Sequence, residues 1–378
     1  MEEKTLAQIM GIQKNFGFGC MRLPRKGEDV DIEETCRMVD EFLTSGFNYF
    51  DTAHGYIQGK SETALKTCLT SRYPRDRYLL TNKLTNFFFK KEEDIRPLFE
   101  SQLEACGVDY FDLYLMHAQG KENYPFFKAC RAYETAFELK KEGKVKHVGS
   151  SFHDRAEVLE EILTDYPEIE VVQIQFNYLD YEDPAVQSRA CYEVCRKFNK
   201  PVIVMEPVKG GSLVNLPEDA KAVLDELHGG SPASYAIRFA AGFPSMIMVL
   251  SGMSNLEQMK DNLSYMKDFQ PLKENELEAI KPLHVSLDDY DVIAVGTPTW
   301  WYTIAPAVLT FLHSQNWNGK IVVPFMTNGG WPGHVIKDMK KACTGAETAC
   351  EMEVQFDSNG GDHLGRQSRL KLTPGLKM

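Results

Sequence analysis

Residues 48–56, NYFDTAHGY, set a short apolar run against two reactive side chains, Asp51 and Tyr56. The arrangement recurs twice: YLLTNKL (78–84) ends around Lys83, and YFDLYLMH (110–117) ends on His117. Each run is too apolar to leave a face in water, the signature of a strand buried on both sides of a parallel sheet. Reactive groups at or just past three such strand ends fall on one rim, where barrels of parallel strands build their active sites.

Working outward, the same kind of run occurs at FGCMRL (18–23), VKHVGSSF (145–152), VVQIQFN (171–177), PVIVMEP (201–207) and MIMVLSGM (246–253), which brings the count to eight. Between the runs lie DIEETCRMVDEFLTSG, EEDIRPLFESQLEACG and SYAIRFAAG, where apolar residues recur every three and four positions as on one face of a helix. Gly46, Gly107 and Gly143 mark helix ends. The pattern predicts an α/β protein whose residues 1–283 form a (β/α)8 TIM barrel. An open doubly wound sheet would need a Gly-rich phosphate turn after an early strand, and none is there.

Past residue 265 the pattern changes. KDFQPLKENELEAIKPLHVSLDD reads as a short helix and a linker. Then YDVIAVGTPTWW, IAPAVLTFLHSQ, KIVVPFMTNGG, HVIKDMKKACTG and ACEMEVQF read as strand, helix, strand, helix, strand. Residues 284–378 are therefore expected to form a separate, truncated βαβαβ segment, too short for a full doubly wound domain.

With 42 Lys+Arg against 54 Asp+Glu the net charge is −12, which disfavours nucleic acid and anionic membrane surfaces as partners. No run approaches the roughly 18 apolar residues of a membrane span, and MEEKTLAQIM lacks the features of a secretory leader, so a cytoplasmic location is expected. The nine cysteines are scattered and odd in number, with Cys191 and Cys195 the nearest pair at helical spacing. They are expected to be buried thiols, with neither a disulfide framework nor a metal site.

The four rim residues suggest carbonyl reduction by hydride transfer. Tyr56 can protonate a developing alkoxide, but a phenol of pKa about 10 is a poor proton donor near neutrality. An ammonium at Lys83 lowers that pKa. Asp51 can hold Lys83 as an ion pair, and His117 can hydrogen-bond the substrate carbonyl and polarise it. A metal-dependent hydrolase on this barrel would want paired histidines on early strands, and FGCMRL offers none.

The segments GFGCMRLP, YFDTAHGY followed by GKSE, LTNK, DLYLMH, GKVKHVGSS, VVQIQFN and VIVMEPVKGG resemble, in order, the aldo-keto reductase family over residues 15–265. The resemblance implies an NADPH- or NADH-dependent reductase of small-molecule aldehydes or ketones. Tyr56 is then the general acid, Lys83 and Asp51 its tuning pair, and His117 the carbonyl-orienting residue. It places Ser150 and Gln173 at the nicotinamide carboxamide and Met205 where an aromatic often stacks on the ring. Lys209, Gly210 and Gly211 would wrap the pyrophosphate. SGMSNLEQMKDN resembles the segment that binds the adenosine 2′-phosphate, through Gly252, Ser254, Gln258 and Asn262. Members specific for the phosphorylated cofactor often carry Lys and Arg where this chain has Gly252 and Gln258, so strong NADPH preference is not expected and NADH stays open. A phosphate there would be held by a helix N-terminus and hydroxyls.

Family members with an iron–sulfur tail need closely spaced cysteines of the CxxCxxC type. Only the isolated Cys343 and Cys350 follow Cys195, which excludes such a centre. The last ninety residues instead resemble the C-terminal half of a flavodoxin, with TPTWWY (297–302) and TNGGWPGH (327–334) like its two flavin loops and Trp300 or Trp301 the candidates to stack on the ring. The phosphate loop and the first two strands of that fold are missing, so FMN binding by this chain alone is not expected. The remnant is read as a structural appendage whose raw edge, Asp291–Val295, can pair with another chain to give a homo-oligomer. The alternative to an active reductase is a catalytically weakened nucleotide-binding or electron-transfer partner protein. The loops NFFFKKEED and HAQGKENYPFF, with Tyr178, suggest an apolar substrate pocket with some capacity for anions.

Overall fold

The computed structural model describes residues 4–280, 290–300, 303–328 and 332–355. The chain divides into two compact units, Met1–Pro282 and Leu283–Met378.

In the first unit eight parallel strands close on themselves: β1 (Phe16–Gly19), β2 (Tyr49–Asp51), β3 (Leu79–Leu84), β4 (Phe111–Gln119), β5 (Val145–Phe152), β6 (Val171–Gln175), β7 (Val202–Met205) and β8 (Met246–Ser251). Each pairs with its sequence neighbours, and β1 closes the ring on β8 with Phe16 opposite Val249. Six of the eight expected runs contain their strand, and β4 runs on two residues past YFDLYLMH to Gln119. The first is displaced: FGCMRL was expected to be extended, but β1 starts two residues earlier and Cys20–Arg22 turn as a 3-10 helix. Cys20 and Leu23 are buried while Met21 between them is 56% exposed. Inward positions three residues apart fit a three-residue turn rather than a strand.

Alternation along the strands divides the apolar residues into two layers. Tyr49, Leu79, Leu113, Leu115, Val171, Ile203, Met248 and Leu250 point inward, and Met10 from the N-terminal helix Leu6–Met10 packs onto them and stops the floor. Two glycines make room for this filling. A Cβ at Gly17 would lie 2.7 Å from the Leu250 side chain, and one at Gly149 2.6 Å from the Val171 carbonyl oxygen.

Outward strand residues meet the ring of helices α1 (Ile32–Thr44), α2 (Lys60–Leu65), α3 (Glu92–Cys106), α4 (Ala132–Lys141), α5 (Ala156–Asp165), α6 (Ser188–Lys197), α7 (Pro232–Ala241) and α8 (Leu256–Met266). In α1, Asp31 caps the first turn by accepting the Glu34 N–H, and Thr35, Met38, Val39 and Phe42 form the buried stripe. Gly46, Gly107 and Gly143 take left-handed backbone after their helices, as the sequence suggests. The unit ends on the short helix Glu274–Ala279, where Glu276 forms a buried two-point ion pair with Arg238 of α7 at 3.0 and 3.1 Å.

Among its described residues the second unit has parallel strands β9 (Val292–Trp300), β10 (Ile321–Asn328) and β11 (Met352–Gln355), with β10 central and the short strand Glu347–Thr348 also parallel on β10 beside β11. Helices α9 (Pro306–Ser314) and α10 (Val335–Ala342) bring Leu312, Val335 and Met339 together with Trp317 against Val295, Val322 and Met326. Thr303–Ile304 returns antiparallel on the end of β9. The Asp291–Val295 stretch pairs on one side with β10, and on its other side it has no strand partner among the described residues; Val292 there is 55% exposed.

Candidate active site

The C-terminal ends of β2, β3 and β4 bring the four expected residues together inside the barrel mouth. Lys83 Nζ donates to Asp51 Oδ1 at 2.5 Å and to the Thr52 carbonyl at 2.7 Å. It stands 4.8 Å from the Tyr56 ring centroid. The rings of Tyr56 and His117 meet edge to face at 5.9 Å, and His117 Nδ1 shares a 2.7 Å hydrogen bond with Thr85 Oγ1.

A buried polar frame holds these groups. Ser61 Oγ donates to the Cys20 carbonyl at 2.9 Å and lies 2.8 Å from Thr52 Oγ1, tying the loop after β2 to β1. Glu62 accepts from Asn82 at 2.7 Å and pairs with His54 at 2.8 Å. Gln102 of α3 donates to Asn82 and to the Lys83 carbonyl at 3.1 and 3.0 Å. Ser61 and Glu62 are the last two residues of GKSE, so that motif is the brace of the site. Past Tyr56 the chain turns sharply through Ile57 and Gln58, at φ 51° and 56°. For a β-branched residue that is strained backbone, fixed by its surroundings.

Burial pushes the Tyr56 phenol above its ordinary range, and the Lys83 ammonium offsets this only in part. This differs from the expectation that Lys83 would bring the phenol down: inside a closed barrel, loss of water around the phenolate outweighs the neighbouring cation. Burial also works to discharge Lys83, but Asp51 and then Tyr56 outweigh it and hold the ammonium charged. Burial raises Asp51, with Lys83 opposing; its second oxygen has no hydrogen-bond partner. His117 is pushed down to about 3 by burial, with Lys83 and His153 adding to it, so its imidazole is neutral through the ordinary pH range.

Around the same rim, a cleft of about 320 Å3 runs between the ends of β7, β8 and β1, lined among others by Arg22, Glu206, Gly210, Gly211, Ser254 and Asp261. Met205, two residues after the inward Ile203, faces the mouth. Gly210 and Gly211 take φ 63° and 105° in the turn after β7. The expected cofactor residues divide here. Ser150 Oγ lies 3.5 Å from the Tyr133 hydroxyl on the helix side. Ser151 is on the inward side, in register with Gln173, and its hydroxyl is buried without a partner. Lys209 forms an ion pair with the buried Asp180, which also accepts from Gln175 and Asn177 at 2.7 Å each. Burial opposes the Asp180 charge, but these donors hold its carboxyl below the usual range. Asn262 is spent internally, donating to Ser251 Oγ at 2.8 Å and accepting from Tyr265 at 2.6 Å. Gln258 Oε1 accepts the Ser254 N–H at 2.8 Å. Gly252 lies under Arg22, whose Cδ would be 3.2 Å from a Cβ there.

Residues 15–284 match the model of the aldo/keto reductase family, well over half of the chain. The chain belongs to the aldo/keto reductase family. Similar proteins include the NADH-specific methylglyoxal reductase of Escherichia coli, 25% identical over 286 residues that cover 64% of this chain and 85% of that protein. Another is the 9,11-endoperoxide prostaglandin H2 reductase of Trypanosoma cruzi, 27% identical over 283 residues, covering 71% and 93%. An aldo-keto reductase from Klebsiella pneumoniae, solved in complex with NADPH, shares the fold with a TM-score of 0.57 at 18% identity, over 72% of this chain and 93% of that one. Residues 250–353 also match a flavodoxin family model.

As a family member this reductase is an NAD(P)H-dependent oxidoreductase. Its polar groups fit a nicotinamide dinucleotide. Ser151 offers an orphaned buried hydroxyl, and Arg22 in the cleft carries no ion pair among the described residues. The flavin-loop candidates Trp301 and 329–331 lie outside the described residues, as does the side chain of Trp300. The nine cysteines are free thiols, and no metal-binding cluster occurs among the described residues. No helix of the described residues is long and apolar enough to cross a membrane.

Sequence reasoning missed Thr85, Ser151 and Arg22. Thr85 is two residues past Lys83, and the parity of β5 selects Ser151 over Ser150 once Gly149 is known to face inward.

Proposed function

We propose that this reductase reduces an aldehyde or ketone, with Tyr56 as general acid, Lys83 and Asp51 supporting it and His117 orienting the carbonyl. The observation that carries the reading is the Lys83 ammonium, held 2.5 Å from Asp51 and 4.8 Å from the Tyr56 ring. A bound reduced nicotinamide would supply hydride to the carbonyl carbon. The chain's own groups do the rest.

A phenol raised by burial stays protonated at neutral pH, which is the form a proton donor needs. As Tyr56 gives its proton to the carbonyl oxygen, the ammonium of Lys83 faces the phenolate that forms, so charge develops beside a fixed cation. Asp51 keeps that ammonium charged in a dry site. His117 is neutral, and in the tautomer whose Nδ1 accepts from Thr85 its Nε2–H is left to hydrogen-bond the carbonyl oxygen. Ser151 and Gln173 would hold the nicotinamide carboxamide, Met205 would pack on the ring, and the Gly210–Gly211 turn and Arg22 would face the diphosphate. Lys209 is committed to Asp180 and takes no part. Ser254 and Gln258 stand at the adenosine end, and Asn262 only pins β8 to α8.

Tyr56→Phe is expected to lower kcat by at least about 100-fold, the lower range for general acid catalysis, with the Kd for the nicotinamide cofactor within about twofold of wild type by fluorescence titration. Full turnover in the variant would remove Tyr56 from the role. A variant that turns over poorly only because it binds cofactor poorly would place Tyr56 in binding instead.

A further inference from the structure

Away from the barrel mouth, two thiols meet in the helix layer. Cys36 lies in the second turn of α1, and Cys68 lies in the wide turn Lys66–Thr70 that follows α2. That turn is π-helical: the Ser71 N–H reaches back to the Lys66 carbonyl at 3.1 Å. Cys68 Sγ donates to the Ile32 carbonyl at 3.4 Å, one helical turn before Cys36. Side chains on a helix lean toward its N-terminus, so the Cys36 side chain leans over that same turn. The two thiols form a hydrogen-bonded pair there. Their backbones are tied as well: Arg72 Nη1 donates to the Cys68 carbonyl at 3.0 Å and to the Cys36 carbonyl at 3.5 Å, while Nη2 pairs with Asp40 at 2.9 Å. Accessibility separates the two sulfurs. Cys36 is partly exposed, whereas Cys68 is fully buried. Burial, with Cys36 and Asp40 adding to it, pushes the Cys68 thiol up against the opposing charge of Arg72.

We propose that Cys36 and Cys68 are a modification site, an oxidisable dithiol that a hydroperoxide converts into a disulfide between α1 and the turn after α2. The proposal is independent of the nicotinamide reading. Cys36, the accessible thiol, reacts first as its thiolate. Its sulfur attacks one oxygen of hydrogen peroxide, the O–O bond breaks, and the other oxygen leaves as hydroxide and picks up a proton, which gives a first water and a sulfenic acid on Cys36. The Cys68 sulfur then attacks that sulfur, the S–O bond breaks, and the departing hydroxide takes the Cys68 proton as a second water. The dithiol has lost two electrons and two protons, and the peroxide has been reduced to water. Burial confines Cys68 to the second step. The bridge closes a stretch of chain that contains β2, Tyr56 and the GKSE brace, so it constrains the unfolded chain from the helix layer.

The test is peptide mass spectrometry on the full chain, treated folded with hydrogen peroxide, then unfolded in an alkylating reagent and digested. The expected product is a pair of peptides joined through Cys36 and Cys68, two hydrogens lighter than the reduced peptides together and separated again by a thiol reductant. The buried Cys20, Cys106 and Cys195 should still be alkylated. The thermal midpoint of the oxidised protein should lie at least about 4 °C above that of the reduced protein, and Cys36→Ser, treated in the same way, should show no rise. Both thiols alkylated after peroxide, or Cys36 joined to a different cysteine, would overturn the proposal. So would Cys36 carried to the sulfinic or sulfonic acid with Cys68 left alkylated, or a rise in midpoint that Cys36→Ser retains.

Discussion

Two adjacent serines on β5 differ in what they face, and the difference sets an experiment. Ser150 Oγ is near a tyrosine hydroxyl in the helix layer, whereas Ser151 Oγ is buried toward the mouth with its hydrogen-bonding capacity unused. An unused buried hydroxyl costs free energy, which a bound carboxamide would recover. Ser151→Ala is therefore expected to weaken cofactor binding by about fivefold, near the net worth of one hydrogen bond. Ser150→Ala should leave Kd within about twofold; isothermal titration on both separates them. The reverse ranking would return the carboxamide to Ser150. At this scale much was legible. Asp51, Tyr56, Lys83 and His117 could be found because strand ends are visible as the limits of apolar runs. The choice between Ser150 and Ser151 was not visible, because a one-residue change of parity exchanges the faces of a strand and both neighbours are serines. The commitment of Lys209 to Asp180 was hidden for another reason: the partners are 29 residues apart and only the folded loops bring them together.

At the level of elements, barrel closure depends on glycines that leave space for neighbours. Gly149 sits between Leu115 of β4 and Val171 of β6, with no room for a methyl group. A methyl there meets backbone as well as side chain, so β5 and β6 must separate. Gly149→Ala is expected to destabilise the protein by about 1–3 kcal/mol, as overpacking does, and urea unfolding would measure it. Because Ser151 and Gln173 flank the same pairing, cofactor binding should weaken in the folded variant as well. An unchanged midpoint would mean that the strands have slack here. The eight-strand count was readable since buried parallel strands are continuous apolar runs. The limits of β1 were not, because a mostly apolar run does not show by itself that Met21 is exposed between the buried Cys20 and Leu23.

Across the whole molecule, the tetrad, the cleft and the brace around GKSE all belong to the first unit, which Arg238 and Glu276 close. A chain ended at Pro282 is accordingly expected to fold and to bind the nicotinamide cofactor with a Kd within about threefold of the full chain's. Circular dichroism and the same titration check it. A truncated chain that folds yet has lost binding would show that the flavodoxin-like unit takes part in the site. The resemblance of that unit was legible from its alternating strands and helices. What it does was not, because the first strands and phosphate loop of the fold it resembles are missing, and the remaining half does not by itself specify a ligand.

The stopper formed by Met10 and the inward residues Tyr49, Leu79 and Leu113 closes the floor of the barrel, opposite the mouth that holds Lys83. Traffic must then be last in, first out. Whatever reaches the ammonium of Lys83, water included, enters past the ligands at the mouth and leaves by the same road. Once those ligands are seated, the buried charges are sealed off, and protons on Lys83 and Tyr56 should exchange with solvent only as fast as the mouth clears.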